Sequence, residues 1–201
     1  MGVAMASGAS RQRLSSAQRR ELILDSAIRQ FAERGYEAVG MRDLAGDVGL
    51  SAPGIYRHFS SKEELLVKIF DRLSDRLVDA MRSADRTPDP ATGLASLIRS
   101  HIGQSIEHSN VMSILYFMAD RLPPEERERF QKVSRSYLDA WVARLRQIRP
   151  ELSHDSARIS VHAAFGLLNS LGYHSVRLPD RSLVRHLTEM VRGALHLPPS
   201  T

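Results

Sequence analysis

Six side chains between Arg42 and Lys62 are suited to gripping a polyanion: Arg42, Ser51, Tyr56, Arg57, His58 and Lys62. Guanidinium, ammonium, imidazole and hydroxyl groups donate hydrogen bonds to phosphate oxygens, and Arg and Ser also reach base edges. Catalysis needs other neighbours. Gly49-Leu50-Ser51-Ala52-Pro53-Gly54 is one residue off the spacing of a nucleophile elbow, and no strand-like run precedes it. The eight histidines form no His-Glu-x-x-His arrangement, nothing offers metal-ligand spacing, and no glycine-rich phosphate loop occurs. No catalytic residue, metal or cofactor is expected, and the chain does not read as an enzyme.

The elements that must carry those donors are two short helices and a tight turn. Met41 to Val48 reads as the first, Ala52 to Phe59 as the second. Leu44, Ala45 and Val48 share an apolar face with Leu50, Ile55 and Phe59, and the small Ala45 lets the helices cross closely. Gly49 supplies the left-handed backbone of the turn. Ser51 caps the second helix, and Pro53 sits in its first turn, where a missing N–H does no harm. This is the outline of a helix-turn-helix, whose second helix fits the major groove of DNA. Ser51, Ala52, Pro53, Gly54, Tyr56, Arg57 and His58 then face outward, while Phe59 belongs to the core.

Composition agrees with that reading and excludes others. The 201 residues carry a formal charge of +5, a pI near 10.0 and 42% apolar residues, enough to bury a sizeable core. Without cysteine, neither disulfides nor thiolate metal sites are available, and a cytoplasmic location is expected. Met1 to Ser10 lacks the apolar core of a signal peptide, and no run approaches the roughly 18 apolar residues of a membrane span.

Helical periodicity continues throughout, with no alternating strand pattern and no internal repeat, so the fold class is all-α. Ser15 and Gln18 fit a capping box that opens a helix ending at Gly35; Ser61 and Glu64 fit a second, opening a helix to about Ala84. Asp89 and Pro90 read as N-cap and first helical residue, after a Thr87-Pro88 junction. Further helices are expected from Ala91 to about Glu107, Val111 to Ala119, Glu125 to Arg149, Ser153 to about His174 and Arg181 to Leu197. The domains drawn from this are a disordered basic leader (1–14), a DNA-binding domain (15–62), a connecting helix (63–86) and a second domain (87–201).

The stretch from Glu21 to Phe70 resembles the DNA-binding domain of the TetR family of transcriptional regulators. The resemblance rests on Ile23-Leu24-Asp25-Ser26-Ala27, Phe31-Ala32-Glu33-Arg34-Gly35-Tyr36, Met41-Arg42-Asp43-Leu44-Ala45, Gly49-Leu50-Ser51, Ile55-Tyr56-Arg57-His58-Phe59 and Ser61-Lys62-Glu63-Glu64-Leu65-Leu66. It covers the first third of the chain without gaps. It implies a three-helix N-terminal domain that reads double-stranded DNA as a homodimer, with the two second helices about 34 Å apart on a palindromic operator. Tyr56 and Lys62 would contact phosphates, Arg42 would lie near the backbone, and Ser51 to Arg57 would face the groove. Two positions depart from the pattern. Gly40 stands where Thr or Ser often caps, and Ala52-Pro53-Gly54 stands where many members carry a Lys and a Thr. Few side chains remain for base readout, which shifts weight to Arg57, backbone contacts and DNA shape. Arg11, Arg13, Arg19 and Arg20 could add phosphate contacts or belong to a plain tail.

The resemblance also implies that the helices after the junction bind a small molecule and form the dimer, which makes the protein a ligand-responsive repressor, with no membrane partner. An all-helical interaction module without ligand response is the alternative. His101, Met112, Tyr116, Phe117, Trp141, Phe165, Asn169 and Tyr173 are the candidate wall for a hydrophobic or amphipathic ligand, with core as the competing role for each. His108 and His162 could orient a polar ligand group. Ala163, Gly166 and Ser170 form a small-residue strip, and Leu183, Leu187, Met190, Val191 and Ala194 an apolar stripe; together they are the candidate dimer interface.

Overall fold

The computed structural model describes residues 14–107, 118–170 and 180–197. Eight α-helices and no strand occur among the described residues: α1 (Ser16–Arg34), α2 (Met41–Asp47), α3 (Ala52–Ile55), α4 (Lys62–Asp85), α5 (Pro90–Glu107), α6 (Pro124–Ile148), α7 (His154–Asn169) and α8 (Asp180–Ala194), with a 3-10 turn at Ala119–Arg121. None of these helices is long and apolar enough to cross a membrane. Residues 111–117 of the short apolar helix expected from Val111 lie outside the described residues.

Helix starts follow the cap chemistry. Ser15 Oγ accepts from the Gln18 N–H at 3.1 Å, and Gln18 Oε1 accepts from the Ser15 N–H at 2.8 Å. Asp89 accepts from the Thr92 N–H at 2.8 Å with Pro90 as the first residue of α5, and Ser153 accepts from the Ser156 N–H at 3.1 Å. The second expected capping box forms only half. Ser61 Oγ accepts from the Glu64 N–H at 3.0 Å, but the Glu64 carboxylate turns to the N–H and hydroxyl of Ser60, both at 2.7 Å. Those two bonds hold the Glu64 carboxyl below its usual range.

The buried apolar residues fall into two clusters. Ile23, Ala27, Phe31, Leu44, Ala45, Ile55 and Phe59 pack with Leu65, Leu66, Ile69, Phe70 and Leu73 of α4. Leu77, Ala80 and Ala84, further along the same helix, join Leu94, Leu97, Ile98, Ile102, Trp141, Leu145, Val161 and Leu168 in the second. The seam between the clusters therefore falls inside α4, ahead of the proline-marked bend. Prolines mark where the chain must turn, whereas the apolar stripe of α4 continues unbroken across both cores. Met118 and Leu122 return to the first cluster, and Phe130 at the start of α6 stands edge-on to Phe70 with ring centroids 4.7 Å apart.

Candidate functional site

The end of α2 sets the position of α3. Gly49 has φ +66°, the Leu50 N–H donates to Ala45 O at 2.8 Å, and the Gly49 N–H donates to Gly46 O at 3.2 Å. This pair of bonds is a Schellman motif, which reverses the chain within one turn. Ser51 Oγ then accepts from the Gly54 N–H at 3.2 Å. The helix itself is shorter than the sequence suggests. It ends at Ile55, and the chain reaches Phe59 through turns in which the His58 N–H donates to Ile55 O at 2.9 Å. Pro53 and Gly54 are poor helix formers in so short a segment. The Arg20 guanidinium also takes the His58 carbonyl, and it lies 4.2 Å above the Phe59 ring.

Ile55 and Phe59 point inward at 0% and 1% exposure, and this fixes what faces out. Arg42, Ser51, Pro53, Tyr56 and Arg57 are exposed; Ala52, Gly54, His58 and Lys62 are half-buried. The nearby acids are engaged elsewhere. Asp43 accepts from the Gly40 N–H at 2.8 Å and faces Arg34 at 3.9 Å. Asp47 accepts from the Ser26 hydroxyl at 2.7 Å and from Arg29, and the Ser26 bond and the Arg29 charge hold its carboxyl below the usual range. Arg42 and Arg57 have no ion-pair partner among the described residues. The surface left between α2 and α3 thus presents cations and hydroxyls.

Lys62 is already partly committed. Its ammonium donates to Tyr36 O at 2.8 Å and Val39 O at 3.1 Å, and lies 4.1 Å from the Tyr36 ring centroid. Two of its three N–H donors thus tie the start of α4 to the loop between α1 and α2. Arg20 is the positioning residue that sequence reading missed, since it was grouped with the basic leader. Arg11 and Arg13 lie outside the described residues.

In the second domain the structure gathers His101, Trp141, Phe165 and Asn169 from α5, α6 and α7. His101 stacks on Phe165 with centroids 4.7 Å apart, and Trp141 meets Phe165 edge-on at 5.0 Å. Tyr137 joins them, its hydroxyl 3.3 Å from His101 Nδ1; its position one turn before Trp141 was the signal available. Burial lowers the pKa of His101 to about 4 and raises that of Tyr137. Met112, Tyr116, Phe117 and Tyr173 lie outside the described residues, as does His108, and His162 is exposed.

The dimer candidates divide. Ala163, Gly166 and Ser170 are exposed on α7, and Met190 is 54% exposed on α8. Leu187 and Val191, at 4% and 0%, instead fill the chain's own second core, with Leu183 and Ala194 half-buried against it. They cannot face a partner. The stripe on α8 was assigned whole to a dimer surface, whereas most of it packs against α5 and α7. Ile159, 70% exposed, extends the α7 strip instead.

Residues 23–69 match the family model described as bacterial regulatory proteins, tetR family. The chain is 31% identical over 146 residues to the transcriptional repressor KstR2 of Mycobacterium tuberculosis, covering 68% of this chain and 72% of that protein. It is 41% identical over 75 residues to the transcriptional activator FasR of Mycolicibacterium smegmatis, spanning 37% of this chain and only 34% of FasR. A solved structure of the ketosteroid transcriptional regulator KstR2 of Mycobacterium tuberculosis superposes with a TM-score of 0.75 at 25% identity, covering 90% of this chain and 95% of that one.

Proposed function

The chain belongs to the TetR family of transcriptional regulators, and we propose that it is a repressor that binds a palindromic operator as a homodimer and is released by a small hydrophobic or amphipathic ligand. The observation that carries this reading is the surface between α2 and α3: exposed Arg42, Ser51, Tyr56 and Arg57 mounted on the fully buried Ile55 and Phe59. Arg42 and the Tyr56 hydroxyl are assigned to phosphates, and Ser51 to Arg57 to the groove. His58 turns its backbone inward and keeps a half-buried ring at the rim. Lys62 has one donor left for a phosphate.

Two-fold operators require two copies. The α7 face of Ile159, Ala163, Gly166 and Ser170, with Met190 of α8, is the proposed contact between them. The reading heads then sit about 34 Å apart. Ligand in the second domain acts through α4, which belongs to both cores, and alters that separation. The identity of KstR2 as a repressor supports repression; the shorter match to FasR, an activator, is confined to a smaller share of both chains.

The test is a fluorescence-polarisation titration against duplex DNA from the region upstream of the gene, with unrelated duplex as control, at two salt concentrations. Selective binding by two protomers, weakened by salt, supports the reading. Failure to select any sequence from a random duplex pool overturns it in favour of an all-helical interaction module.

A further inference from the structure

We propose that His101, Trp141 and Asn169 receive a single uncharged hydroxyl group on an otherwise apolar ligand. This deepens the ligand-responsive reading above and rests on it.

The observation is a set of buried polar atoms that lack hydrogen-bond partners in one aromatic cluster. They are His101 Nε2, Trp141 Nε1 and Asn169 Oδ1, with Gln104 Oε1 one turn beyond His101 on α5. Buried polar atoms of folded proteins are almost always paired, so several orphans together mark a place for an outside group. His101 and Trp141 are 3% and 0% exposed, and their rings lie in mutual contact with Phe165.

The hydrogen-bonding inventory selects the ligand class. Trp141 can only donate through Nε1, and Asn169 Oδ1 and Gln104 Oε1 can only accept. Tyr137 occupies His101 Nδ1, which leaves Nε2 to complete the site. A hydroxyl accepts from Trp141 and donates to Asn169. A ketone accepts from Trp141 but leaves Asn169 unmatched. A carboxylate would face two carbonyl oxygens with no compensating cation. Burial and Asn169 alone shift His101, with no contribution from an ionised side chain, so the ring is neutral near pH 7. Charged head groups are therefore disfavoured. Phe165 and the faces of Tyr137 and Trp141 offer the apolar body its contact.

Trp141 is the only tryptophan, so its fluorescence reports on the site directly. The probes are 2-decanol, 2-decanone, decanoate and decylammonium, which share chain length and differ in head group. The full-length protein is expected to show saturable change with 2-decanol, weaker change with 2-decanone, and affinity for the two ions lower by roughly tenfold or more, since each leaves buried groups mismatched. His101→Leu and Asn169→Leu are expected to lose roughly tenfold for 2-decanol while retaining operator binding, which shows that they fold. Equal or tighter binding of decanoate, unchanged 2-decanol affinity in both variants, or no response to any probe overturns the proposal; the last outcome assigns the orphaned atoms to buried water. Operator release, followed separately by polarisation, isolates the two readings. A charged effector that frees DNA without touching Trp141 defeats this inference alone. A probe that binds at Trp141 and never frees DNA defeats the ligand-responsive reading alone.

Discussion

Tyr56 and Lys62 divide two tasks at the DNA-binding surface. Tyr56 is 53% exposed and has no hydrogen bond to the rest of the described chain, so its hydroxyl is available to a phosphate. Tyr56→Phe is expected to weaken operator binding by about 1 kcal/mol and leave the melting temperature unchanged. Lys62→Met removes two bonds to carbonyls and a cation–π contact, and is expected to cost about 1–2 kcal/mol of stability as well as affinity. Melting curves beside polarisation titrations separate the two, and equal melting shifts would refute the division. His101 gives a second prediction at this scale. Its folded pKa is lowered from 6.5 to about 4, so the unfolded chain takes up a proton that the folded chain refuses. Stability is full above pH 6.5 and falls as pH drops toward about 4, by about 3 kcal/mol in all. Asp47 and Glu64, whose carboxyls are held low, lose their contributions only in more acid solution. His101→Leu should therefore flatten the melting temperature between pH 6.5 and 5, and a slope unchanged from wild type would assign it to other groups.

Among the helices, what was legible in sequence and what was not follow from distance along the chain. The caps of α1, α5 and α7 were readable because each capping oxygen lies three residues from the N–H it accepts. The same holds for the stop at Gly35 and the turn at Gly49, where positive φ selects glycine. Contacts to carbonyls far away leave no such mark, since every residue carries one. Arg20 holds the end of the reading helix across 38 residues, and Arg144 donates to Ala84 O at 2.7 Å across 60. The latter contact closes the C-terminus of α4 against α6, and Gly93 of α5 makes room for it. A methyl group at Gly93 would overlap the Arg144 guanidinium. Gly93→Ala is expected to cost about 1–3 kcal/mol, or about 2–4 °C of melting temperature per kcal/mol. Gly49→Ala meets nothing within 4 Å, and its φ of +66° alone should cost about 1 kcal/mol. In a double-mutant cycle, Gly93→Ala and Arg144→Ala should be strongly less than additive, because either one alone dislodges the same cap. Additive losses would mean that Gly93 acts through some other neighbour.

For the molecule as a whole, the question is which apolar faces belong to the chain itself and which await a second copy. Periodicity could not answer it for α8, because a helix gripped on several sides is apolar on each of them. The structure turns Leu187 and Val191 inward and leaves Ile159, Ala163 and Gly166 on the outer side of α7, one helical stripe with a small-residue floor. Such a floor lets a second helix approach closely, and an Ile that is 70% exposed has a reason to be there only if something covers it. Ile159→Asp combined with Ala163→Asp places four carboxylates against one another across a two-fold axis while disturbing nothing inside the protomer. The double variant is expected to sediment as a monomer at micromolar concentration with its melting transition intact. Each protomer would keep a folded reading head, yet operator affinity should fall by roughly 10²–10⁴, the advantage that two tethered heads hold over one. Leu187→Asp serves as the contrast, since a charge buried in the second core should unfold the protomer itself. A double variant that remains dimeric and keeps its operator affinity would move the interface off α7, and with it the spacing of the heads on DNA.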